Sequence, residues 1–205
     1  FAPILRFVCE FADRHGWSVY DEESGRGLLR HSYLRVGKRT GEIMLCLVLN
    51  GSALPNEEDF AREVTARFPE IVSLMINENT EDTNVVLGRK YRTLCGKGGI
   101  EDELCGLKFF ISPDSFYQVN HDAAELLYRR ARELADLRGD ELLLDLFCGA
   151  GSIGLSMADG VREVIGIEIV EEAVACAKRN AAANGIENAS FYCGDAEECE
   201  KLLEE

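Results

Sequence analysis

The chain has 205 residues, of which 46% are hydrophobic, and its formal net charge is −15. This length is enough for one large or two small domains with a real core. No apolar run approaches the length of a membrane helix, and the first residues lack a signal-peptide pattern, so we expect no membrane segment. The eight cysteines include no C-x-x-C pair, which disfavours a metal site or disulfide framework and predicts reduced thiols in a cytoplasmic protein.

The charge is distributed unevenly along the chain. Nucleic-acid-binding proteins usually carry a basic patch, so the acidic total argues against a simple RNA-binding module. Between residues 26 and 39, however, every charged residue is basic. This basic stretch is either an ordinary solvated hairpin or a contact for nucleic acid, and it is the only such candidate in the sequence. Its members are Arg26, Arg30, His31, Arg35, Lys38 and Arg39.

The first half of the chain is predicted to be α+β with hairpins. Residues 5–15 have apolar side chains at helical spacing, and Gly16 would end that helix. A strand over residues 42–49 is apolar almost throughout, which predicts a central position in a sheet. The other predicted elements are a strand over residues 28–36, a helix from the N-cap Asn56 to Phe68, and strands over residues 71–77, 85–94 and 107–111.

After Asn120 the pattern changes to alternating strands and helices. Asn120 or Asp122 can cap a helix, which carries Leu126, Leu127, Ala131, Leu134 and Ala135 on one side. Alternating strands and helices predict a doubly wound α/β sheet. Its elements are a strand over residues 142–146, a glycine-rich turn into a helix, a strand over residues 164–169, a helix over residues 171–184 closed by Gly185, and a strand over residues 189–193.

The glycine-rich turn has the features of a ligand site. Gly149, Gly151 and Gly154 spell G-x-G-x-x-G between a strand and a helix. Glycines allow a tight turn and a close approach to a ligand, and the following helix offers unpaired N–H groups. Glu168 lies where such folds place a carboxylate that accepts from ribose hydroxyls, and Asp195 follows the third strand. The glycine pattern alone also fits a tight turn without a ligand.

Two cofactors fit this order of strands, glycines and acids. A nicotinamide dinucleotide would present a pyrophosphate to the helix N-terminus, whereas S-adenosylmethionine carries a cationic sulfonium. Asp145, Glu168 and Asp195 surround the turn with acids and no cation. This charge favours S-adenosylmethionine, and a nicotinamide oxidoreductase stays open as the other reading.

Two sequence motifs resemble one enzyme family. The segment I-S-P-D-S-F-Y-Q-V-N at residues 111–120 and the segment D-L-F-C-G-A-G at residues 145–151 resemble the S-adenosylmethionine-dependent RNA uracil-5-methyltransferases, which make 5-methyluridine in ribosomal and transfer RNA. Arg30-His31 with Thr40-Gly41-Glu42 resembles the central domain of the ribosomal members. The resemblance covers nearly the whole chain. It implies an α/β protein with an α+β central domain over residues 1–115 and the first half of a Rossmann-like class I methyltransferase domain over residues 116–205.

The resemblance also implies roles for individual residues. Gln118 would contact S-adenosylmethionine, Phe147 and the Gly149–Gly151 turn would line its methionine part, Glu168 would hold its ribose, and Asp195 would lie near its adenine. Together with Asp145, which precedes the turn, these residues form the predicted cofactor site. The implied substrate is RNA, with 23S ribosomal RNA favoured over transfer RNA.

The family's chemistry requires further residues. In the family a cysteine adds to carbon 6 of uracil, carbon 5 attacks the sulfonium methyl group, and a base removes the carbon 5 proton. The S-C-N-P motif of that cysteine does not occur in the 205 residues, and Cys148 belongs to the cofactor turn. We therefore expect an internal fragment that has no catalytic residue and is inactive alone. The alternative is a cofactor-binding or interaction module without chemistry.

A cut methyltransferase sheet predicts one further property. In the family the first strand of the sheet lies in the middle, and the second and third strands lie on one side of it. The strand over residues 142–146 should then have one bare edge, which lacks the charges that protect natural edge strands. We expect the chain either to pair with another copy through this edge or to have a poorly ordered C-terminal part.

Overall fold

The computed structural model describes residues 1–198 and divides into two compact units. The first unit consists of Phe1–Gly37 and Gly41–Ile100, and the second begins at Glu101 and also includes Lys38–Thr40. The boundary after residue 115 stays a prediction for the functional division, and residues 199–205 lie outside the described residues. Within residues 1–198, no helix is both long and apolar enough to cross a membrane.

The first unit is a four-stranded sheet with two helices packed into one hydrophobic core. The strand order is β1-β2-β3-β4, with β2 and β3 parallel and the outer pairs antiparallel. Aromatic side chains of both helices meet the leucines of β2 in the core, and β2 is buried from Met44 to Leu49, as its apolar sequence predicted. The elements are α1 (Ala2–His15), β1 (Leu29–Val36), β2 (Ile43–Leu49), α2 (Glu57–Arg67), β3 (Ile71–Glu78) and β4 (Lys90–Gly96).

The strand predicted over residues 85–94 is wrong at its start, because β4 begins only at Lys90. Buried polar side chains hold the preceding residues as a loop instead. The amide of Asn79 donates to the carbonyls of Val85 and Val86 at 2.7 and 3.2 Å. Asn56 does precede α2, but its backbone is left-handed and its side chain makes no capping hydrogen bond.

The second unit begins with a hairpin and continues as a parallel sheet. Its three parallel strands have the order β7-β8-β9, which confirms the expected Rossmann-like α/β arrangement. The strand β5 was not predicted. Asn120 caps α3, as expected, by accepting from the N–H of Ala123 at 3.2 Å. The elements are β5 (Ile100–Leu104), β6 (Leu107–Ile111), α3 (His121–Ala135), β7 (Leu142–Asp145), α4 (Ser152–Met157), β8 (Glu163–Glu168), α5 (Glu171–Ala183) and β9 (Ala189–Cys193).

The apolar side of α3 is exposed, and a different side is buried. Leu126, Leu127 and Leu134 are 64%, 58% and 70% exposed, whereas α3 buries Ala124 and Tyr128. The strand β7 has β8 as its single neighbour within residues 1–198. It therefore lies at one end of the described sheet, and no described strand pairs with its other edge.

Candidate cofactor-binding site

The candidate site lies where β7 ends and a turn leads into α4. Gly149 and Gly151 have positive φ angles of 52° and 80°, a conformation that glycine adopts without strain. A Cβ atom on Gly151 would lie 3.2 Å from side-chain atoms of Ala177, Leu155 and Phe191. Both glycines thus have a left-handed backbone conformation, and Gly151 is also closely packed. Larger residues are therefore disfavoured at these two positions.

The carboxylate of Glu168 is hydrogen-bonded directly to the glycine turn. Its Oε2 accepts from the N–H of Gly149, and its Oε1 accepts from the N–H of Val170, both at 3.0 Å. Each carboxylate oxygen has a second lone pair. The half-buried carboxylate can therefore orient the turn and still accept from the hydroxyl groups of a ligand.

Asp145 connects the end of β7 to the start of α4. Its Oδ2 accepts from the N–H of Gly154 at 3.2 Å. Burial raises the pKa of Asp145, and the nearby Glu168 acts in the same direction, whereas backbone hydrogen bonds from Gly154 and Phe147 lower it. Two carboxylates close enough to influence each other create a negative site, which suits a cationic ligand.

The segment that contains Gln118 lies beside the turn. A Cβ atom on Gly149 would be 3.7 Å from the carbonyl oxygen of Phe116. Burial raises the pKa of Tyr128, and the nearby Gln118 acts in the opposite direction. The Tyr128 hydroxyl lies 3.0 Å from Oγ of Ser152, the first residue of α4. Tyr128 therefore contacts the start of α4, a contact that the sequence did not predict. Tyr128 is the single aromatic residue of α3, and that was the available signal.

Phe147 and Asp195 lie at the periphery of the site. The Phe147 side chain is 82% exposed, so it is available to a ligand and is not part of the core. Asp195 follows β9, where the N–H of Gly194 donates to the backbone carbonyl of Glu168 at 3.0 Å. The structure therefore joins Gly149 to Glu168 directly and places Asp145 within the electrostatic influence of Glu168. Asp195 is connected to Glu168 only through the backbone of the preceding Gly194.

Two residues outside the predicted set shape the turn. The side chain of Asn180 in α5 is fully buried and donates to the carbonyl of Ala150 at 3.0 Å. A Cβ atom on Gly166 of β8 would overlap the ring of Phe191 and lie 2.9 Å from Sγ of Cys148. A lone glycine inside an apolar strand is a signal of close approach, whereas an asparagine among helix alanines carries little signal in the sequence.

Cys148 lies in the turn as a buried thiol. Its backbone N–H donates to the carbonyl of Ile167 in β8 at 3.1 Å. Burial, with the charges of Asp145 and Glu168, raises the pKa of Cys148 to about 12. Because the thiolate is the reactive form, a thiol that stays protonated at neutral pH is a poor nucleophile. This state fits a packing role for Cys148.

The chain is similar to known methyltransferases. A family model described as a methyltransferase domain matches residues 138–205. A protein of Bacillus cereus described as an uncharacterized RNA methyltransferase is 43% identical over 194 residues, which are 95% of this chain and 42% of that relative. A protein of Clostridium tetani with the same description is 40% identical over 195 residues, with the same coverage.

A solved structure is similar over most of the chain. The crystal structure of Pyrococcus abyssi tRNA (uracil-54, C5)-methyltransferase in complex with S-adenosyl-L-homocysteine matches with a TM-score of 0.74 and 28% sequence identity. The match covers 92% of this chain and 45% of that chain. The chain thus spans less than half the length of the curated relatives and of this structure.

Proposed function

Because this chain belongs to the RNA methyltransferase family, we propose that it is part of an RNA (uracil-5-)-methyltransferase, which transfers a methyl group from S-adenosylmethionine to carbon 5 of a uridine. The observation that carries the proposal is the contact between Glu168 and Gly149 in a chain that is similar to a tRNA uracil-5-methyltransferase over 92% of its length. The F-Y-Q-V-N segment beside the same turn gives further support.

The donor set of the site fits S-adenosylmethionine, the cofactor of the family. Glu168 would hold the ribose hydroxyls, and the Gly149–Gly151 turn with the exposed ring of Phe147 would line the methionine part. Gln118 would approach the cofactor from the neighbouring segment, and Asp195 would lie near the adenine. When bound, the cofactor supplies an electrophilic methyl group on a cationic sulfonium. The carboxylates of Asp145 and Glu168 supply the opposite charge.

We propose 23S ribosomal RNA as the substrate and the cytoplasm as its location. The resemblance of Arg30-His31 and Thr40-Gly41-Glu42 to the ribosomal members supports this choice, whereas the Pyrococcus abyssi enzyme is described as acting on tRNA. The 205 residues contain no S-C-N-P motif, so we assign no catalytic residue to them and propose that they are inactive alone. A cofactor-binding module without chemistry is the second candidate.

The proposal is tested by nucleoside analysis after deletion of the gene that contains these residues. Mass spectrometry of digested 23S ribosomal RNA should show loss of 5-methyluridine, and digested transfer RNA should be unchanged. Loss confined to transfer RNA would correct the substrate. Unchanged 5-methyluridine in both RNAs would support the module without chemistry.

A further inference from the structure

The structure separates the basic stretch of residues 26–39 into two different parts. The Arg30 side chain is 1% exposed, and its guanidinium donates to the carbonyls of Asn79 and Glu81 at 2.9 and 2.8 Å. Arg30 is therefore a structural residue of the first unit. Lys38 and Arg39 are exposed and belong to the second unit.

A buried carboxylate anchors Lys38 and Arg39. Asp102 in β5 is 2% exposed, and it accepts from the backbone N–H groups of Lys38 and Arg39 at 2.9 and 2.8 Å. The hydroxyl of Thr40 donates to the carbonyl of Glu101 at 2.6 Å. Lys38–Thr40 lie at the tip of the hairpin between β1 and β2. Hairpin tips are usually among the more mobile parts of a protein. Here the backbone is held, and the two basic side chains stay at the surface.

A third cation lies near this tip. Arg39 is 3.3 Å from the carboxylate of Glu125 in α3, and Glu125 also accepts from the N–H of Cys105 at 3.2 Å. Glu125 and Cys105 line a cavity of about 320 Å³ together with Arg129. Arg129 is exposed, and within residues 1–198 it has no hydrogen-bond or ion-pair partner. We call Lys38, Arg39 and Arg129 the basic rim.

We propose that the basic rim binds backbone phosphates of the RNA substrate, an inference that rests on the proposed function. Guanidinium groups match phosphate oxygens in a bidentate manner. A tip that is already ordered loses little further conformational entropy on binding. In a chain of net charge −15, fixed local cations offset the repulsion of a polyanion. The charge of Glu125 is offset by Arg39.

The anchor also contacts the candidate cofactor site. The hydroxyl of Tyr117 lies 3.5 Å from the carboxylate of Asp102, and Tyr117 directly precedes Gln118. One buried carboxylate thus touches both the basic tip and the segment that would contact the cofactor. RNA held at the basic rim would be close to the site that supplies the methyl group.

The first test measures how RNA binding depends on salt. Anisotropy of a labelled single-stranded RNA that contains uridines is recorded with the 205-residue chain over a series of KCl concentrations. The double variant Lys38→Ala/Arg39→Ala and the variant Arg129→Ala should weaken binding. They should also reduce the slope of log K against log salt by about 0.7 for each phosphate that the variant no longer neutralises.

The matched control is Arg14→Ala/Arg62→Ala, which removes two exposed arginines from the helices of the first unit. It changes the net charge as much as the double variant and should leave the affinity within about twofold of the wild type, because neither arginine contacts the RNA. Equal losses in the control and the double variant would overturn the proposal. So would competition by polyglutamate as strong as competition by RNA, which would indicate an acidic protein partner.

The second test asks whether a substitution of the anchor residue, Asp102, strengthens or weakens RNA binding. Asp102→Asn makes the chain less acidic, which by itself strengthens binding to RNA. The anchored tip predicts the opposite, because Lys38 and Arg39 donate to different oxygens of Asp102. In asparagine an NH2 group would replace one of these acceptors. Asp82→Asn, an exposed change of the same charge, should not weaken binding. Tighter RNA binding by a folded Asp102→Asn variant would overturn the proposal, and if that variant unfolds, the basic-rim variants decide.

The outcomes separate this proposal from the proposed function. A chain that binds S-adenosylhomocysteine but does not bind RNA at any salt concentration would overturn the RNA-binding role of the basic rim alone. A chain that binds RNA through the basic rim, with unchanged 5-methyluridine after gene deletion, would overturn the proposed function alone.

Discussion

At the scale of single residues, the carboxylate of Glu168 both orients the turn and offers acceptors to a ligand. Glu168→Ala should weaken the binding of S-adenosylhomocysteine about tenfold or more, because a hydrogen bond to a charged group is worth roughly 1.5–3 kcal/mol. Glu172→Ala, an exposed change of the same charge in α5, is the control and should not weaken binding. Calorimetry that gives equal affinities for the wild type and Glu168→Ala would remove Glu168 from the site.

Asp145 should make cofactor binding depend on pH. Its pKa is raised, chiefly by burial, so it gains a proton at a higher pH than an ordinary aspartate. The neutral carboxyl loses its attraction for a cationic cofactor. The affinity for S-adenosylmethionine should therefore fall as the pH is lowered from neutral toward this raised pKa, and Asp145→Asn should show a flatter profile. Parallel pH profiles for the two proteins would contradict the assignment.

At the scale of elements, α5 acts as the partner of β6. Asn180 and Asn184 each bond both the N–H and the C=O of one β6 residue, Phe110 and Lys108 respectively. Asn180 also reaches the turn at Ala150. Asn180→Ala should lower the melting temperature, because a buried group that loses its partner costs about 1–3 kcal/mol. Asn184→Ala should lower it less, because the bonds of Asn184 to Lys108 are exposed.

The same pair of variants separates positioning of the turn from general stability. Only Asn180→Ala should speed hydrogen exchange at the N–H groups of Cys148 and Gly151 and weaken binding of S-adenosylhomocysteine. Native-state exchange followed by NMR or mass spectrometry measures the first effect without a cofactor. Identical exchange and affinity in the two variants would show that Asn180 does not position the turn.

Local patterns predicted the second unit better than the first. The strand over residues 189–193 has its predicted bounds as β9, because an apolar run bounded by turn residues is a local signal. Residues 85–87 have an equally strand-like sequence, but side-chain hydrogen bonds hold this part of the chain as a loop. Asn79 donates to the carbonyl of Val85, and Arg30 donates to the carbonyl of Thr83, which lies far from it in the sequence. The sequence did not predict β5, because three of its five residues are acidic. One of them, Asp102, is buried and accepts a hydrogen bond from the backbone of Lys38.

The candidate site shows the same limit. The glycines and Glu168 could be identified because their types and spacing follow from the turn itself. The contacts of Asn180 and Tyr128 join elements far apart in the chain, so neither periodicity nor spacing indicates them. Their polar groups are identified only when the fold brings the partners together.

At the scale of the whole chain, the bare edge of β7 should cause self-association. Leu142 and Leu144 are 45% and 40% exposed, and an apolar strand edge without charges is a template for pairing. Light scattering should show a mass that rises with concentration. Leu144→Lys should reduce this rise, and Leu5→Lys on α1, a surface change of the same kind, should not. A monomer at every concentration would contradict the prediction.

The second unit takes its residues from two places in the chain. The N–H groups that satisfy Asp102 come from Lys38 and Arg39, sixty-four and sixty-three positions earlier. A gene segment that began at Glu101 would encode this carboxylate without its donors, and an uncompensated buried charge costs several kcal/mol. The unit is therefore not one contiguous segment of the chain. A recombinant that joins it to a different first unit must also carry the tripeptide Lys38–Thr40.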